Sequence, residues 1–73
     1  MKHLHQIEIH TEFIQLQQVL KLKDYISSGG EARAFLEGSS VLVNGERETR
    51  RGRKLYHGDT VTIGGTKYTV TKS

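Results

Sequence analysis

Residues 41–55 read Val41-Leu42-Val43-Asn44-Gly45-Glu46-Arg47-Glu48-Thr49-Arg50-Arg51-Gly52-Arg53-Lys54-Leu55, and the first half of that stretch decides the fold. Val41-Leu42-Val43 opens as a β-strand. Asn44-Gly45 then reverses the chain, because both residue types tolerate the positive φ of a tight two-residue hairpin turn. Beyond the turn, Arg47, Arg50, Arg51, Arg53 and Lys54 crowd into one short run. Guanidinium groups displayed on a loop can meet phosphate oxygens as planar, two-pronged donors. The stretch therefore predicts a hairpin with a cationic loop, in a small nucleic-acid-binding module that carries out no chemistry of its own.

After the hairpin, Gly58-Asp59 turns the chain into a strand at Thr60-Val61-Thr62-Ile63. Gly64-Gly65 then reverses it into Thr66-Lys67-Tyr68-Thr69-Val70. Apolar residues alternate with Thr and Lys in both runs, as expected of paired, half-buried strands. Before the hairpin, Ile7 and Ile9 alternate with Glu8 and His10, which gives a short first strand over residues 5–10. Leu16, Val19, Leu20 and Lys23 recur at helical spacing, with Leu22 and Ile26 widening the stripe, so residues 15–25 read as an amphipathic helix with Phe13 and Ile14 leading into it. Ser27-Ser28-Gly29-Gly30 ends that helix, and Ser28 with Glu31 three residues later forms a capping box for a second one. This second helix carries Ala32, Phe35 and Leu36 inward and stops near Gly38. Its first turn offers unpaired amides to an anion. The architecture is α+β: two short helices on a small, mainly antiparallel sheet, with residues 1–73 forming one domain.

The size of the chain narrows the function. Seventy-three residues bury too little surface for a deep, water-excluding active site. With no cysteine, neither disulfides nor thiolate metal sites can staple the core. The amino terminus has no apolar run of the kind a signal peptide or membrane span needs, so the expected location is the cytoplasm, with no membrane partner. The net charge is +3, but residues 1–40 carry −1 and residues 41–73 carry +4. Basicity confined to one part of a nearly neutral scaffold is the footprint of a polyanionic partner. His3 and His5 form a conceivable metal pair on the first strand, but zinc needs two further ligands and only His10, His57 and scattered carboxylates remain. No metal and no cofactor are expected.

The order of parts, helix, Gly-rich turn, helix, Val-x-Val-Asn-Gly hairpin and Gly-Asp before a strand, resembles the alpha-L RNA-binding motif, the domain named after ribosomal small-subunit protein S-four. The resemblance runs from Phe13 to Ile63. It rests on Ser28-Gly29-Gly30-Glu31-Ala32, Val41-Leu42-Val43-Asn44-Gly45-Glu46, Glu48-Thr49-Arg50-Arg51-Gly52-Arg53-Lys54-Leu55 and Gly58-Asp59, and it is nearest to the small bacterial proteins in which this domain stands alone. The resemblance implies that Ser28, Gly29, Gly30, Arg33, Asn44, Arg47, Arg50, Arg51, Arg53 and Lys54 lie on an RNA-contacting face. The implied partner is structured RNA, ribosomal or tRNA-like, with ribosomal proteins as further partners of a monomer. The family usually has Arg-Leu-Asp where this chain has Gln15-Leu16-Gln17, and Ser-Arg where it has Ser28-Gly29. The expected weight of recognition therefore moves to the loop from Arg50 to Lys54.

The expected mechanism is recognition by shape, with the amides at Gly29-Gly30-Glu31 and the guanidiniums of Arg50, Arg51 and Arg53 clamping phosphates together. Glu46 and Glu48 are expected to neutralise part of the patch. Tyr56 reads as a half-buried strand residue, although it and His57 stand close enough to the basic run to stack on a base. Asp59 is expected to bond backbone amides of its turn. The rival reading is a protein-interaction adaptor that docks acidic or ribosomal proteins through the same loop. An enzyme is not expected, because no nucleophile and base, metal cluster or paired carboxylates converge.

Overall fold

Strands that alternate apolar and polar residues need a sheet with one covered face, and these strands supply one. The computed structural model describes residues 5–73. In it, β1 (Gln6–Ile9), β3 (Val41–Val43), β4 (Glu46–Arg47), β6 (Thr60–Ile63) and β7 (Thr66–Lys72) form a five-stranded sheet in the order β1-β7-β6-β3-β4. The β3–β4, β3–β6 and β6–β7 pairs are antiparallel and β1 lies parallel to β7, so the sheet is mainly antiparallel, as expected. Ile7, Val41, Val61 and Val70 are fully buried on its inner side. His3 of the proposed metal pair lies outside the described residues; His5 stacks on Tyr68. Among the described residues, no three metal-binding side chains gather. No helix is long and apolar enough to cross a membrane.

Both reversals form by backbone geometry. Asn44 and Gly45 have φ of 52° and 86°, and Gly64 and Gly65 have 57° and 87°, so each pair holds two successive positive φ values, the requirement of the twisted hairpin turn. A second, two-residue ladder joins β2 (Ile14–Gln15) to β5 (Lys54–Leu55). The sequence reads Phe13 and Ile14 as leading into the first helix and packing beneath it, and Ile14 does pack against the core. The ladder's partner is forty residues away, and nothing local announces it.

Helix α1 (Leu16–Leu22) buries Leu16, Val19 and Leu20 completely, as its spacing requires, but it is shorter than the expected 15–25. Asp24 ends it. With φ at 64°, Asp24 donates its amide to the Lys21 carbonyl, and Tyr25 donates to Leu20. These two bonds form the left-handed terminator that usually carries Gly, here built on Asp. Leu22, at the last position of α1, lies off the stripe formed by Leu16, Val19 and Leu20 and is 57% exposed.

Helix α2 (Ala32–Gly38) buries Ala32 and Leu36 and is entered through a 3₁₀ turn, Gly29–Glu31. The expected capping box is not formed. Ser28 makes no capping bond through its side chain, and the Glu31 carboxylate reaches past it to accept from the Ser27 amide at 3.1 Å. The 3₁₀ turn is tighter than an α-turn, which displaces the register by one residue. Tyr25 bridges the interhelical segment to the sheet. Its hydroxyl lies 2.9 Å from that of Tyr68, and this bond, with burial, pushes the Tyr68 hydroxyl up to about 12.

Candidate nucleic-acid interface

The basic loop is organised by a carboxylate. The Glu48 amide extends the β3–β4 pairing by donating to Val41, which draws the side chain under the loop. Among the described residues, Glu48 is the one charged side chain that is buried, at 7% exposed. Its carboxylate accepts from the Thr49 and Arg50 amides, from Nε and Nη2 of Arg50, and from Nη1 of Arg53, all within 3.0 Å. The Arg50 side chain is the main cause that holds the Glu48 carboxyl down at about 2, from an ordinary 4.5. Burial pushes the other way, and the Arg50 amide and Arg53 guanidinium help. Glu48 does neutralise part of the patch, as expected, by pairing with Arg50 and Arg53, and beyond that expectation it is the hub on which the loop is built. Arg50 remains 72% exposed while so held, and Arg53 is 33% exposed. Among the described residues, no ion pair engages Arg51 or Lys54.

The loop is seated on the start of α1. A helix leaves its first amides without intrahelical partners, and here the Arg53 carbonyl accepts from Leu16 and the Arg51 carbonyl from Gln17, both at 2.9 Å. The Gln18 side chain accepts from the Gln15 amide at 3.0 Å. Gln15 and Gln18 thus form a reciprocal capping box at the start of α1, where a missing cap was expected, and carbonyls of the loop take the amides that remain. Gln17 also meets the interhelical turn. A Cβ on Gly29 would lie 3.2 Å from its Oε1. One residue therefore touches the loop with its backbone and Gly29 with its side chain, so the loop and the Gly-rich turn flank the same end of α1. An open depression of about 440 Å³ is lined by Arg50, Gly52, Arg53 and Lys54.

The other expected site residues are distributed differently. Ser28 and Gly30 are exposed on the turn, but the Glu31 amide donates to the Ser28 carbonyl, so the three amides expected to face an anion are not all open. Arg33 pairs with Glu37 one turn along α2 at 3.5 Å, and Arg47 Nη2 lies 3.5 Å from the Glu37 carbonyl. This is a second, looser cationic group. Asn44 follows the far end of β3 from Glu48, about 10 Å along the strand. Its side chain accepts from the Thr60 amide and donates to Asp59, which fastens the turn. Asp59 accepts from the Tyr56 amide, the backbone role expected of it. Tyr56 stands beyond β5 at 45% exposed, not half-buried in a strand. His57 is exposed, and its Nδ1 accepts from the Lys72 amide, which ties the ring to β7.

The S4 domain family model matches residues 7–71, a wider span than Phe13 to Ile63. The chain belongs to the S4 domain family. Over 59 residues it is 59% identical to a Bacillus subtilis (strain 168) protein named probable ribosome maturation protein RlbA, with 81% of this chain and 83% of that protein covered. The S4 fold is also that of YbcJ from E. coli, whose solution structure is described as revealing an alfaL motif involved in RNA-binding. The TM-score is 0.66 at 32% identity, covering 97% of this chain and 91% of YbcJ.

Proposed function

We propose that this S4 domain protein binds structured ribosomal RNA in the cytoplasm and acts in ribosome maturation, without catalysis. The observation that carries the reading is the Glu48-centred loop, which holds Arg50 in place while leaving it 72% exposed. A cation fixed before binding loses less side-chain freedom when it meets a phosphate. The names borne by the Bacillus relative and the E. coli structure support the choice of RNA and of the ribosome.

Arg50, Arg51, Arg53 and Lys54 form the primary phosphate contacts. The depression between them receives the RNA backbone, and Gly29, with Gly30 next to it in the turn, adjoins the loop through Gln17, whose amide the Arg51 carbonyl holds. Ser28 lies on the same turn, Arg33 and Arg47 contribute a peripheral group, and Asn44 acts through the shape of its turn. Phosphate contacts position a protein without reading bases, so the target is chosen by its folded shape. Neutralising about four phosphates gives a log-log salt slope of roughly −3 to −4.

The test is crosslinking in cells followed by sequencing of bound RNA, for the wild type and for Arg50→Glu with Arg51→Glu. The wild type is expected to recover ribosomal RNA and the variant to lose it. Equal recovery of the same transcripts would remove the loop from the interface. Competition with duplex DNA separates the two nucleic acids, and RNA is expected to compete better.

A further inference from the structure

Lys54 of β5 is exposed and Leu55 fully buried, and Tyr56, one residue past the strand, is exposed again. The ladder pairs Ile14 with Leu55 and Gln15 with Lys54, and one step further it brings Phe13 opposite Tyr56. Their ring centroids are 5.9 Å apart with planes tilted by 52°. Lys54 Nζ stands 4.9 Å from the Phe13 ring centre, attracted by the negative face of the ring, and the same lysine lines the depression beside Arg50 and Arg53. An aromatic pair and an open cationic hollow therefore share one side chain.

We propose that Tyr56, backed by Phe13, is a stacking platform for one unpaired nucleobase whose phosphate is taken by Lys54 and Arg53. The proposal rests on the RNA-binding reading and adds to it a preference for RNA with a base free to leave its helix. Tyr56 is built to stay in place. Its amide donates to Asp59 Oδ2 at 2.8 Å and its carbonyl accepts from the Asp59 amide at 2.9 Å, so both sides of its peptide backbone are tied. Its ring is 45% exposed, which core packing does not require. Aromatic rings stack on any base, so the platform selects unpairedness and leaves sequence open. The concentration of positive charge beside it favours a nucleotide over an apolar peptide as the occupant.

The test compares two short synthetic RNA hairpins that differ by one bulged 2-aminopurine, by fluorescence anisotropy and by 2-aminopurine emission. The wild type is expected to bind the bulged hairpin more tightly and to quench the probe. Tyr56→Leu keeps an apolar cover over Phe13 and removes the ring. It is expected to lose roughly ten-fold in affinity for the bulged hairpin, with loss of quenching and little change on the paired one. Tyr56→Phe is expected to retain both, which separates loss of stacking from loss of fold. Unchanged preference and quenching in Tyr56→Leu would overturn the platform and leave the RNA-binding reading standing. Failure of the wild type to bind either hairpin would overturn the platform, and the RNA-binding reading falls with it only if crosslinking in cells also recovers no ribosomal RNA.

Discussion

Two glutamates stand beside the two halves of the expected interface, and they do opposite things. Glu48 is buried beneath the arginine loop and gathers two guanidiniums and two amides. Glu31 is exposed in the first turn before α2, where it takes the Ser27 amide and sets a negative charge where a phosphate would otherwise approach. A carboxylate in a basic region therefore cannot be scored by its charge alone. Buried and saturated with donors, it orders cations and hands their outer surface to the partner. Exposed at a helix start, it competes with the partner for the same positive end. On the proposed RNA-binding reading, the loop is the prepared half of the interface and the helix start the guarded half.

The harshest challenge to this contrast is Arg50→Glu with Arg51→Glu, which should weaken binding to a structured ribosomal RNA fragment by about 100-fold in anisotropy titrations. A loss of only two- or three-fold would show that the loop is not the prepared half. Next comes Glu48→Gln. It raises the net charge, so a simple electrostatic account expects tighter binding, whereas loss of the hub should weaken RNA binding by roughly ten-fold. It should also destabilise the fold by about 2 kcal/mol in urea unfolding, the scale of charged hydrogen bonds lost from a buried site. Tighter binding by Glu48→Gln would break the comparison outright.

Acid titration sharpens the same point. The Glu48 carboxyl is lowered from 4.5 to about 2 in the folded protein. Its contribution is therefore complete above about pH 4.5 and lost as pH falls toward about 2, because the unfolded state takes up the proton first. Wild-type stability should fall across that window in urea unfolding series, and Glu48→Gln should show a flatter profile. The smallest effect is expected from Glu31→Gln, which should raise RNA affinity about two-fold if the guarded half faces phosphate. No change would place the start of α2 away from the RNA backbone.

The frame of the molecule was legible because its signals are local. Asn44-Gly45 and Gly64-Gly65 announce their turns, and strict alternation around Ile7, Val61 and Tyr68 announces strands and their inner faces. The capping of α2 was misread by one residue because Ser28 and Glu31 fit a box that the 3₁₀ turn does not build. The end of α1 was missed because Asp24 adopts a conformation usually left to Gly. The role of Glu48 was hidden for a different reason. Its burial depends on the β3–β4 pairing and on a loop folding back over it, and a charged residue among arginines gives no sign in sequence of which side will face inward. The β2–β5 ladder and the parallel partner of β1 are likewise contacts between distant segments, for which spacing along the chain carries no mark.

The pairing of β1 with β7 sets an order of assembly. In the sheet order, β7 is the neighbour that β1 pairs with, and it follows every other strand of that sheet along the sequence. Ile7 and Ile9 must therefore wait, uncovered, while the helices and both hairpins emerge, since closing so long a chain segment is slow compared with forming local turns. During translation the nascent protein carries its cationic loop before its sheet is complete. Residues 69–72, which pair with Gln6–Ile9, must be present before this edge of the sheet can close over Ile7 and Ile9.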